Sequence, residues 1–241
     1  MATQLKKADE AQPAEQFMAG LRSFLQQHHP KDSRIIQAIA GGAASRRALQ
    51  GFAKEVCAYS AISLRPIAAL VSNAPDETSY RVALENFASE AGLLGTPPHP
   101  ALFRDFTLGT GVTEEELDGH VPLPSTLGAM YTLERFLRGP FDEAIAGFGF
   151  AIEGPAAEWG RLVYAGLRDH YELDEKALMF WTLHFGERER DATLEEQHAA
   201  NARYLMSRFA STPEQQERVG RAFKHSVLIF EHLWHGMDRF L

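Results

Sequence analysis

His184, Glu187, Asp191, Glu195 and His198 crowd one short stretch of this chain, and all carry side chains that bind metals or move protons. Wound as one helix at about 100° per residue, the group spans roughly an 80° arc. His184, Asp191 and His198 stand at successive heptad steps, which would line up several ligands along one face. Carboxylate oxygens combined with imidazole nitrogens suit iron or manganese better than thiophilic metals. For the run from Glu187 to Arg190 alone, a solvated face with i,i+4 ion pairs is the preferred reading. His184 follows the apolar Phe180-Trp181-Thr182-Leu183, so it is expected inside, either as a core histidine or as a ligand.

Three more residues share that chemistry. Glu90 stands near the end of the run Leu84 to Gly92, and His99 opens a helix after Pro97-Pro98. Glu153 follows the apolar Phe148 to Ile152 and precedes Gly154-Pro155. A buried carboxylate is costly unless paired or metal-bound, whereas a helix-end residue in water needs neither. Tyr59, Phe87, Phe150 and Trp181 are candidate walls of a pocket beside these groups, with core packing as their other role. Cys57, in an apolar helical stretch, reads as a small core residue.

The elements that must position these residues are helices. Apolar spacing predicts helices over 15–29, 34–40 and 45–72, the last kinked at Pro66. Others follow over 77–91, 99–108, 125–138, 141–153 and 156–170, the last two divided at Gly154-Pro155. Thr113 before Glu114, Glu115 and Glu116 marks another helix start. Asp174 caps a long helix to about Phe209, and Thr212-Pro213 begins the final one. Convincing β-alternation and internal repeats are missing. The expected fold is all-α, a single helical-bundle domain over 14–241 preceded by a disordered tail over 1–13.

Composition narrows the class. The 241 residues suffice for a sizeable core, and a formal net charge of −8 argues against nucleic acid or an anionic membrane as the main partner. One cysteine excludes an internal disulfide framework. The N-terminus lacks a signal-peptide core and no apolar run reaches spanning length, so the cytoplasm is expected. P-loop, dinucleotide-binding, nucleophile-elbow and His-Glu-x-x-His motifs are missing, as is any cysteine pair for zinc or an iron–sulfur cluster. A carboxylate–imidazole metal site between facing helices is what such a fold can still build.

Taken together, these stretches resemble the TenA/PqqC-like superfamily with its heme-oxygenase-like fold, and within it the heme-oxygenase-like diiron oxidases and oxygenases. The likeness rests on Glu85 to Gly92 followed by His99 to Phe103, on Gly147 to Gly154, and on Phe180 to His184 with the acidic run after it. The segment Ser226 to Asp238 is similar to the family's C-terminal helix, and the likeness covers roughly residues 45–240. It implies that Glu90, His99, Glu153 and His184 are metal ligands. The family's His-x-x-x-Asp-x-x-His pattern is not kept: Arg188 stands four after His184, Asp191 seven after, and the next histidine is His198. Either an insertion preserves the face, with Asp191, Glu195 or His198 completing the site, or the second metal position is altered or lost; Asp191 and His198 are assigned to it.

The resemblance further implies Fe(II), two ions per chain, with O2 as co-substrate and a small metabolite as substrate. N-oxygenation of an amine and oxidative cleavage of an amino or fatty acid are the outcomes it suggests, and a homodimer is the assembly. A metal-free, PqqC-like oxidase and a non-catalytic helical ligand-binding protein are the alternatives. TenA-type thiaminases need a cysteine that Cys57 does not supply from its early helix. His28 and His29 are placed like a heme oxygenase's proximal ligand, but the carboxylate pattern argues against that branch.

Overall fold

Helix starts in this protein follow the capping chemistry written in the chain. The computed structural model describes residues 11–186 and 194–241, without the side chains of 194–200 and 202. After α1 (Ala14–Gln27) and α2 (Arg34–Ala40) come α3 (Arg46–Ala61), α4 (Leu64–Ser72), α5 (Glu77–Glu90) and α6 (His99–Gly109). Then follow α7 (Glu114–Asp118), α8 (Pro124–Leu137) and α9 (Phe141–Ala144), a π-helical segment (Ile145–Glu153), α10 (Gly154–His170), α11 (Glu175–Phe185), α12 (Leu194–Phe209) and α13 (Pro213–Met237). Side chains of Ser45, Asp76, Asp174, Thr113 and Thr212 accept from the first-turn amides of α3, α5, α11, α7 and α13. The last two form reciprocal capping boxes with Glu116 and Gln215. Among the described residues there is no β-strand. Of the expected tail, residues 1–10 lie outside the described part, while Gln12 exchanges two hydrogen bonds with the Gln216 side chain.

Three helix boundaries differ from the sequence reading, each for a local reason. The helix expected over 45–72 is two helices, broken at Ile62 and Ser63. Pro66 excludes the carbonyl four residues back, that of Ile62, so the chain restarts with Pro66 in the first turn of α4. The expected division at Gly154-Pro155 is no break at all: a helical rod continues over 141–170, and the irregularity is spread upstream into the π segment. There the Gly154 amide donates to Gly149, five residues back, a winding that does not depend on the amide that Pro155 lacks. The long helix expected from Asp174 to Phe209 ends at Phe185. Gly186 leaves helical geometry, and a Cβ there would stand 2.5 Å from the Thr182 carbonyl oxygen.

α13 packs lengthwise on the π segment and on α8, while α6 lies between α3 and α11, and α10 covers α2 and α11. The Thr107 hydroxyl ties α6 to α3 through the Ala53 carbonyl, at 3.0 Å. Two apolar cores result. One gathers Leu21, Ile67, Leu137, Phe150 and Phe223; the other gathers Ile36, Phe52, Phe106, Trp181 and Trp234. Phe52 is fully buried and stacks on both Trp181 and Trp234, so truncating it to alanine costs about 3–5 kcal/mol. Tyr59 and Ile152 pack against both cores. The seam between the cores is where the acids and imidazoles meet.

Candidate active site

Glu90 is the last residue of α5 and His99 the first of α6. The connection must fold back sharply, and Gly92 allows it. Its φ is +72°, and a Cβ would stand 2.5 Å from the Thr96 oxygen and 2.6 Å from the Pro98 nitrogen. The turn brings Glu90 Oε2 to 2.7 Å from His99 Nδ1, and both side chains are buried.

The other face of His99 meets a remote residue. His99 Nε2 lies 2.9 Å from His184 Nε2, the rings standing at 77° to each other. His184 is 1% exposed and stacks on Phe180, with ring centroids 4.3 Å apart. Its Nδ1 lies 2.7 Å from the Phe180 carbonyl oxygen, which only accepts. His184 therefore carries a proton on Nδ1. One more proton lies between the two Nε2 atoms, and a third between His99 Nδ1 and Glu90. The arrangement is a buried carboxylate–imidazole–imidazole relay.

Glu153 ends the π segment, and its Oε1 accepts from Asn86 Nδ2 at 3.1 Å. Asn86 stands one turn before Glu90 on α5, so a single helix serves both carboxylates. The π winding decides where Glu153 points. Residues five apart stand roughly 140° around an α-helix but close about one turn of a π-helix. Phe148 and Glu153 thus line the same cavity, one of about 120 Å³. The Ser226 hydroxyl donates to the Gly147 carbonyl within this segment.

Glu90 and His99 share the cavity, whose walls include Tyr59, Phe103, Trp159, Phe180, Phe230 and Trp234. Burial, and after it the negative charges of Glu153 and Glu90, push the Tyr59 phenol above its ordinary value of 10, so it stays protonated. Of the aromatic walls expected from sequence, Tyr59 is in place. Phe87, Phe150 and Trp181 are not: Phe87 and Phe150 pack into the first core, Phe150 against Phe223, and Trp181 is sealed in the second. Helical winding carries Phe148 and Phe180 to the cavity in their stead.

Asp191 lies outside the described residues. Glu195 and His198 fall within α12, their side chains undescribed. Because α11 stops at Phe185, His184 and His198 belong to different helices, and the single ligand column read from the sequence is not formed. Cys57 is buried, and burial raises its thiol above the ordinary value, the behaviour of a core residue. His28 bonds Glu231 at 2.9 Å, and His29 accepts from the Lys31 amide; both line a small separate pocket behind Trp234. Asn86 and the contact between the two imidazoles were not read from sequence. Asn86 was within reach, since i,i+4 spacing places it on the face of Glu90.

Among the described residues, no group of three or more His, Cys, Asp and Glu side chains stands ready-made around a metal position. The donor chemistry nonetheless fits iron. With its Nδ1 fixed by a backbone carbonyl, His184 would turn its Nε2 to a metal, the usual orientation of a metal-bound histidine. His99 Nε2 faces the same point, and two carboxylates share its cavity. Loss of the proton held between the two Nε2 atoms would free both nitrogens as donors.

A family model described as iron-containing redox enzyme matches residues 50–231, well over half of the chain. A 4-aminobenzoate synthase of Chlamydia pneumoniae is 25% identical over 228 residues, covering 90% of this chain and 91% of that protein. The 4-aminobenzoate synthase of Chlamydia trachomatis serovar D is 24% identical over 157 residues, 64% of this chain, and the chain spans 66% of that relative's length. Among solved structures, a TenA homolog from Pseudomonas syringae pv. tomato DC3000 superposes with a TM-score of 0.77 at 12% identity, covering 97% of this chain and all of that one. The fold is thus TenA-like and heme-oxygenase-like. No helix among the described residues is long and apolar enough to cross a membrane. By the extent of the family match, this chain belongs to the iron-containing redox enzymes.

Proposed function

We propose that this protein is a non-heme, O2-dependent oxidase or oxygenase acting on a small molecule in the cavity between its two cores. The observation that carries this reading is the buried Glu90–His99–His184 relay opening, with Glu153, onto an apolar chamber. Glu90, His99, Glu153 and His184 would hold iron, and Asp191 and His198 would complete a second metal position. Fe(II), when bound, would supply the electrons with which O2 is activated.

The chain's own residues do the rest. The His184 Nδ1–H bond to the Phe180 carbonyl keeps Nε2 free as a donor to metal. Asn86 holds the Glu153 carboxylate in one orientation. Glu90 takes or returns a proton at His99 Nδ1, which balances charge when ligands exchange protons for metal. The aromatic walls exclude water and orient the substrate. Synthesis of 4-aminobenzoate, the activity named for the chlamydial relatives, is also a small-molecule reaction and agrees with this reading.

A second reading is favoured by the relay itself. Three protons already sit on a carboxylate and two imidazoles without any metal, a set competent for general acid–base catalysis of a metal-free oxidation. Oxygen uptake separates the two. The protein loaded anaerobically with Fe(II) and then mixed with O2 should consume oxygen in an oxygen-electrode cell, and Glu153→Ala should not. Equal uptake with and without Fe(II) would favour the metal-free enzyme.

A further inference from the structure

The cavity holds hydrogen-bond donors that the relay does not use. Tyr59 Oη, Trp159 Nε1 and Trp234 Nε1 are buried, have no hydrogen-bond partner among the described residues, and belong to residues that line the cavity. The two indole rings stand 4.8 Å apart. Ser60 and Ser63 line it too, but their hydroxyls are spent on the carbonyls of Cys57 and Ser60. Trp181 Nε1 is also unpartnered, yet it lies off the cavity among the rings of Phe52, Phe103 and Phe106. A buried donor left unmade is costly, so three of them around one chamber mark where a ligand's acceptor sits.

Size narrows that ligand. The chamber's volume of about 120 Å³ is a little below the ~150 Å³ of an engineered apolar cavity that holds one benzene.

We propose that the cavity takes a largely apolar molecule the size of a single six-membered ring, bound through an oxygen acceptor that Tyr59 holds by its O–H. The inference rests on the reading of this cavity as the substrate site. Tyr59 is then a specificity-determining residue, selecting for the acceptor while the rings of Phe103, Phe148 and Phe230 select for the apolar body.

The test uses the full chain without added metal, titrated by isothermal calorimetry with acetophenone and ethylbenzene. Acetophenone should bind at least tenfold more tightly than ethylbenzene. Tyr59→Phe should weaken acetophenone roughly tenfold and leave ethylbenzene unchanged, which also shows that the chamber still forms. Acetophenone binding that ignores Tyr59→Phe, ethylbenzene binding as tightly as acetophenone, or no binding of either would overturn the proposal. Iron retention is measured separately on the same preparation. Iron held with no ring compound bound removes this inference alone; ring compounds bound with no iron held removes the iron reading alone.

Discussion

The two arms of the site are built in opposite ways. The Glu90–His99 arm is local: a helix end, a tight turn at Gly92 and a helix start, so proximity in the chain enforces proximity in space. The arm of His184 and Glu153 is assembled at long range, by α11 laid on α6 and by a π winding that turns Glu153 inward. Turn chemistry holds the first arm and packing of the cores holds the second. Disturbing each separately should therefore give different signatures.

The largest effect is expected from the remote arm. His184→Ala removes a fully buried ring stacked on Phe180 and strips His99 Nε2 of its hydrogen-bond partner. It should lower stability by about 2–4 kcal/mol, read as a fall in the denaturant midpoint. Gly92→Ala attacks the local arm, forcing a side chain into a left-handed turn against Thr96 and Pro98. A loss of about 1–3 kcal/mol is expected, with Glu90 and His99 drawn apart but the π segment intact. A Gly92→Ala protein as stable as the parent would show that the turn does not enforce the pairing.

Smaller changes sharpen the comparison. Asn86 sits on the local helix yet steadies the remote carboxylate. Asn86→Ala should weaken iron binding roughly tenfold in a competition titration with a chelator, leaving the thermal midpoint nearly unchanged. The smallest effect is one of pH and lies outside both arms. Burial holds His29 below its ordinary value of 6.5, so the folded state resists the proton that the unfolded chain accepts. Stability from this group is full above 6.5 and falls as the pH drops below it. His29→Asn, which can still accept from the Lys31 amide, should flatten the decline in thermal midpoint between neutral and mildly acidic buffer.

Most of the helical architecture was legible because its signals are local. The Thr113 start, the Asp174 cap and Pro213 at the head of α13 all act within one turn of themselves. What escaped the sequence was winding and contact. Gly154-Pro155 reads as a break, but upstream π geometry absorbs the missing amide, and nothing in the one-dimensional pattern distinguishes the two. His184, Asp191 and His198 share a face only if one helix persists, and Gly186 ends it. The meeting of His99 with His184 depends on how α11 lies across α6, a tertiary fact without sequence period.

The central claim, that these acids and imidazoles hold iron, is tested most directly by metal content. The full chain is loaded anaerobically with Fe(II), desalted and analysed by mass spectrometry beside Glu153→Ala and His99→Ala. The account predicts iron retained by the parent, close to two per chain if Asp191 and His198 complete a second position, and lost from both variants. A parent protein that retains no iron, or variants that retain as much as the parent, would contradict it.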